Sequence, residues 1–120
     1  EGRMAPADFT PDTLRRLAEG CGLVVNCTNL GMEGTRGQFA DFSFLEALPD
    51  GAAVCDVIYA PAETELLRRA RERGLRTLNG LGMLIWQAVF ALEHFTQTPV
   101  DGKAVLPLVE AALGEARLNP

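Results

Sequence analysis

Two apolar runs, LVVN (23–26) and AVCDVIYA (53–60), and a shorter third, LRTLN (75–79), alternate with segments that carry helix punctuation. This alternation is the feature that most limits what the chain can become. A continuous apolar run ending in a polar residue reads as a strand buried on both faces. Thr10 before Pro11 reads as an N-cap and first helical position, opening a short helix through Leu14 and Leu17 to about Gly20. A glycine-rich loop (31–37) follows the first strand, and SFLEAL (43–48) reads as one or two helical turns. Pro61 is expected to open a helix that turns Leu66, Leu67 and Ala70 inward and stops at Gly74. Met83 to Phe95 reads as a strongly apolar helix, and a last amphipathic helix reaches about Ala116, with Pro107 in its first turn. Strands and helices in this order imply parallel strands joined by right-handed crossovers, an α/β doubly wound sheet. Ligands of such sheets sit beyond the carboxyl ends of the strands, which here are Asn26–Thr28, Ile58–Pro61 and Asn79–Gly82.

With 120 residues, 48% of them hydrophobic, the chain can bury one modest core. Its net charge of −5 and the absence of any unbroken Lys/Arg run argue against nucleic acid or an anionic membrane as partner. The densest cationic cluster, Arg68, Arg69, Arg71 and Arg73, is interleaved with Glu63, Glu65 and Glu72. That is the pattern of a solvated helix face, with Glu65 and Arg69 at i,i+4. Cys21, Cys27 and Cys55 form no CxxC pair, and the only histidine is His94. Metal-ligand spacing is therefore lacking, and the cysteines read as reduced, buried thiols of a cytoplasmic protein. No apolar run approaches membrane-spanning length. The chain opens with Glu1, Gly2 and Arg3 rather than methionine, so an N-terminal portion is expected upstream.

NGLGML (79–84) carries two glycines spaced like a dinucleotide loop, but the sixth position of that pattern is Ile85, so it is not the pyrophosphate turn. Gly80 and Gly82 serve either a backbone that needs positive φ or close packing, or the approach of a ligand to the backbone. Asn26 and Thr28 read equally as a satisfied turn or as ligand contacts. Tyr59, the only tyrosine, reads as a core residue with a paired hydroxyl or as a ligand contact. Gln87 sits among Ile85, Trp86, Ala88, Val89 and Phe90, and an amide buried there would need partners, which favours a functional role. His94 reads as a surface residue near a helix end, and Lys103, the sole lysine, lies in a DGK turn. Asp56 leaves a structural and a functional hydrogen bond equally open. No Ser-His-Asp order or paired-carboxylate face appears, so no catalytic residue is assigned within the chain.

VVNCTNLGM (24–32), CDVIYAPAETELLRRARERG (55–74) and NGLGMLIWQAVFAL (79–92) resemble, in order and spacing, the C-terminal part of shikimate dehydrogenases. The usual patterns there are N-A-T-x-x-G-M, D-x-x-Y-x-P-x-x-T-x-[FL]-[LV] and D-G-x-x-M-L-x-x-Q-A. The resemblance runs from about residue 9 to the end and implies that residues 1–120 are the C-terminal part of the NADP-binding domain. The sheet would then be a partial Rossmann-like one lacking its first βαβ unit. The implied reaction is NADP-linked interconversion of 3-dehydroshikimate and shikimate in aromatic amino-acid biosynthesis. Carried onto matching positions, Tyr59 and Gln87 touch the substrate, while Thr28, Val57 and Gly80 line the nicotinamide side, the last two through backbone atoms.

Two positions depart from the family patterns: Asn79 stands where Asp is usual, and Cys27 where Ala is usual. The family's catalytic Lys and Asp, its Ser-x-Ser substrate clamp and its G-x-G-G-x-[AG] phosphate loop have no counterpart among the 120 residues. The chain alone is therefore expected to bind NADP weakly and to be inactive, and an exposed sheet edge is expected to promote self-association. The alternatives are a quinate/shikimate dehydrogenase paralogue and a non-catalytic binding module.

Overall fold

The computed structural model describes the backbone of residues 4–118 and the side chains of residues 4–112. The chain forms two compact units, one ending at Asn79 and one beginning at Gly80. The first holds α1 (Pro11–Ala18), β1 (Leu23–Asn26), a 3-10 turn (Ser43–Ala47), β2 (Ala53–Asp56), α2 (Glu65–Glu72) and β3 (Arg76–Leu78). The second holds α3 (Leu81–Thr96) and α4 (Gly102–Leu118).

The strands form one parallel sheet in the order β1-β2-β3, with Asn26 opposite Asp56 and Cys55 opposite Leu78. The α/β class with parallel strands is thus the one the alternation implies. Val54 on the central strand is fully buried and joins Ala18, Phe44, Leu45, Leu48, Leu66 and Ala70 in one apolar cluster. Because side chains alternate along a strand, Val24 shares that covered face, while Leu23, Val25, Cys55 and Leu78 point to the other.

LVVN is not buried on both faces as its composition suggests. β1 is an edge strand with β2 as its only described neighbour, and Leu23 and Val25 are 56% and 46% exposed. The second run is also shorter as a strand than its apolar length. Pairing stops at Asp56 because its carboxylate takes the Ile58 N–H (3.0 Å) and turns the chain out of the ladder. Nor does Pro61 begin a helix: α2 starts at Glu65, where the Thr64 hydroxyl caps the Leu67 N–H. Thr10 caps α1 as its sequence predicts.

In the second unit, Asp101 caps Lys103 and Ala104, so DGK opens α4 rather than forming a free turn. Pro107 consequently lies inside that helix, a turn further along than expected. Gly102 faces the Trp86 ring so closely that a Cβ there would overlap it, which fixes glycine at the α3–α4 contact. His94 lies in the last turn of α3 and is exposed, as its sequence position suggests.

Candidate functional site

The carboxyl ends of β1 and β2 lie side by side, and the loops leaving them enclose a concave surface of about 410 Å³. Thr28, Met32, Val57, Tyr59 and Ala60 line it, with Glu33 as its one ionisable carboxylate. Three residues nominated from sequence, Thr28, Val57 and Tyr59, therefore share one wall. Gly80 and Gln87 belong to the second unit, at the N-cap and in the second turn of α3.

The local chemistry explains how the wall is built. Asn26 is buried, and its Oδ1 accepts from both the Thr28 N–H (3.0 Å) and the Thr28 hydroxyl (2.7 Å). The same Thr28 oxygen accepts from the Leu30 N–H (3.1 Å), so Asn26 and Thr28 do make the local turn that their residue types favour. Gly31 follows at φ +90°, a left-handed conformation that only glycine adopts without strain, and its N–H reaches the Gly37 carbonyl at 2.9 Å. The loop closes onto the second strand end through the Glu33 N–H and the Ala60 carbonyl (2.9 Å). Val57 gives its N–H to the Asn26 carbonyl (3.1 Å), while Tyr59 is 44% exposed with its ring on the cavity surface.

Asp56 is 2% exposed and accepts from Asn26 Nδ2 (3.2 Å), the Ile58 N–H (3.0 Å) and the Thr64 hydroxyl (2.8 Å). Of the two roles that its sequence position leaves open, these three bonds to protein groups are the structural one. At the end of β3, Asn79 Nδ2 donates to the Ala62 carbonyl at 2.9 Å.

Two expectations fail. Gln87 is exposed rather than buried, because the buried stripe of α3 is Ile85 and Val89, one turn apart, and residue 87 falls between them on the other side. An exposed amide at residue 87 has water for its donors and acceptor and needs no buried partners. Cys27 is exposed too, lining the cavity just past β1, while Cys21 and Cys55 are half-buried; all three are free. Gly80 and Gly82 do not take positive φ, so helix entry there needs no left-handed backbone. Met32 and Glu33 line the cavity without having been singled out; the only signal was their place at and after the G-M of the first motif. Among the described residues no group of three or more His, Cys, Asp or Glu could hold a metal ion, and no helix is long and apolar enough to cross a membrane.

A parallel α/β sheet whose cavity opens at the carboxyl ends of adjacent strands defines an open Rossmann-like fold. No protein-family model matches the chain. Individual relatives do. It is 50% identical over 95 residues to the shikimate dehydrogenase (NADP(+)) of Rhodopseudomonas palustris strain BisB5, covering 78% of this chain and 32% of that protein. The solved shikimate 5-dehydrogenase of Thermus thermophilus in complex with shikimate superposes on 84% of this chain and 36% of its own, with a TM-score of 0.61 and 31% identity. Quinate dehydrogenase from Corynebacterium glutamicum in complex with NAD covers 82% of this chain and 34% of its own, with a TM-score of 0.67 and 35% identity. Over this region the chain belongs to the shikimate dehydrogenase family. It spans about a third of the length of the curated relatives it matches.

Proposed function

We propose that the chain is the C-terminal part of the cofactor-binding domain of an NADP-dependent shikimate dehydrogenase, a cytoplasmic enzyme that interconverts 3-dehydroshikimate and shikimate. The observation that carries this reading is the shared wall of Thr28, Val57 and Tyr59, in a chain half identical to an enzyme of that name. The bound cofactor supplies or accepts a hydride at its nicotinamide ring. A mostly apolar concavity with a few placed polar atoms suits such a flat ring. Thr28 and the backbone of Val57 line that side, and the backbone of Gly80, in the second unit, is assigned to the cofactor by its motif position. Val57 offers its carbonyl, since its N–H is taken by Asn26. The Tyr59 phenol and the Gln87 amide are each able to donate and accept, which suits the hydroxyl and carboxylate groups of a cyclic hydroxy acid.

This chain orients but does not exchange protons. Its one lysine lies in the first turn of α4, and none of the side chains assigned to the site is a lysine, histidine or carboxylate. The test is a titration of the isotopically labelled chain with NADP+, shikimate and quinate, following the Thr28, Tyr59 and Gln87 resonances, beside a steady-state assay. Shikimate-dependent shifts on Tyr59 and Gln87 with no turnover are expected. Absent shifts at all three residues would overturn the assignment of the wall, and turnover by this chain alone would overturn the view that it only orients.

A quinate-directed, NAD-linked reading is favoured by one observation, the likeness to the quinate dehydrogenase structure. Larger shifts with quinate than with shikimate would select it. We further propose self-association along the β1 edge, where Phe9, Leu17, Leu23 and Val25 line an apolar cavity of about 250 Å³ beside a strand with one described neighbour.

A further inference from the structure

We propose that Asp56 is the positioning residue of this wall, the carboxylate that sets the spacing between the loop carrying Thr28 and Met32 and the segment carrying Val57 and Tyr59. The proposal rests on the reading of that wall as the ligand-facing side. Asp56 occupies the last position of the central strand, and its three donors come from three different segments. Asn26 closes β1, Ile58 starts the exit from β2, and Thr64 caps α2.

The bonds continue beyond the carboxylate. Asn26 Nδ2 also reaches the Leu30 carbonyl at 3.4 Å, and the loop that begins there returns to the second strand end through Glu33 N–H and the Ala60 carbonyl at 2.9 Å. The chain from Asp56 through Asn26 and Leu30 to Glu33, across to Ala60 and back through Ile58 is a closed circuit. The residues lining the cavity belong to the two segments that this circuit joins. Asp56 is the side-chain link of the circuit, beside the backbone bonds from Val57 N–H to Asn26 and from Glu33 N–H to Ala60, so its removal loosens the spacing of the two segments without separating them. A site supported in this way depends on its anchoring shell for geometry.

Substitutions separate this role from bulk stability. Alanine leaves the Asn26 amide, the Ile58 N–H and the Thr64 hydroxyl without their shared acceptor in a buried place. Asparagine keeps an oxygen for Asn26 and Ile58, and its amide can donate to the Thr64 oxygen, so the circuit survives. Tyr59 is the only tyrosine, which makes its ring resonances an unambiguous reporter.

The experiment records amide and tyrosine-ring spectra of the 120-residue chain, D56A and D56N without ligand, then with shikimate. In D56A the Thr28, Glu33 and Ile58 amides and the Tyr59 ring shift, while the Ala70 and Leu75 amides of the core keep their wild-type positions. D56N restores them. Shikimate binds about tenfold more weakly to D56A and within about twofold of wild type to D56N. A Tyr59 ring and Thr28 amide unmoved in D56A would overturn the proposal, as would D56N displaced as far as D56A. Should D56A fail to fold, N26A cuts the circuit at another link; the Tyr59 ring then shifts, and an unmoved ring overturns the idea. If the wild-type chain takes no shikimate, the functional reading of the wall fails, whereas positioning is decided by the ligand-free spectra.

Discussion

Asn79 shows how one atom changes what a position can do. Its Nδ2 donates to the Ala62 carbonyl and holds the end of β3 against the turn that leads into α2. The aspartate usual in the family patterns has no donor there once ionised. Asn79→Asp is therefore expected to lower stability, by about 1 kcal/mol or less because the bond is exposed, as read by urea unfolding. An unchanged midpoint would show that the bond contributes nothing. Gln87 teaches the opposite lesson at the same scale. Apolar neighbours in sequence say little about burial on a helix, because residues one and two positions away face other directions; only the i,i+4 pair Ile85 and Val89 marks the buried side. Thr28 and Asn26 were legible as turn formers from residue type alone. Asp56 was not, since its partners lie 30 and 8 residues away.

At the scale of the element, α2 is the most readable helix. The i,i+4 spacing of Glu65 and Arg69 becomes an ion pair at 2.6 Å, and Glu65 also meets Arg68 at 2.6 Å. The hydrogen bonds from Arg68 and then Arg69 pull the Glu65 carboxyl down to about 2 from its usual 4.5. A depressed folded pKa stabilises the folded state above the unfolded value, and that contribution disappears as pH falls through the folded one. The stabilisation from Glu65 is thus complete above about 4.5 and lost on acidification toward about 2. Glu65→Gln is expected to flatten the pH dependence of stability within that window and to leave its shape unchanged above it. An acid limb identical in wild type and variant would refute the assignment. Solvent exposure keeps the effect small. The start of α2 was misplaced by the sequence because proline at a first helical position is only one of several entries. The Thr64 cap, tied to Asp56, wins instead.

Across the whole molecule, the sheet presents β1 as an open edge with Leu23 and Val25 exposed beside it. Unpaired strand edges with apolar side chains pair with other chains. Light scattering is expected to show a concentration-dependent dimer, and Val25→Lys, which places a charge on that edge, is expected to return the chain to monomer. A wild-type chain that stays monomeric at high concentration would count against edge pairing. The sequence by itself determined the class of fold, the order of its elements, the N-cap of α1 and the Glu65–Arg69 pair of α2. These depend on periodicity and on neighbours three or four residues apart, which are local properties of the chain. Only the tertiary structure decided that LVVN is an edge rather than a centre, that Gln87 is exposed, and that Asp56 joins two strand ends to a helix cap. Burial and long-range hydrogen bonds depend on which segments become neighbours, and a strand's apolar composition is the same whether one strand flanks it or two.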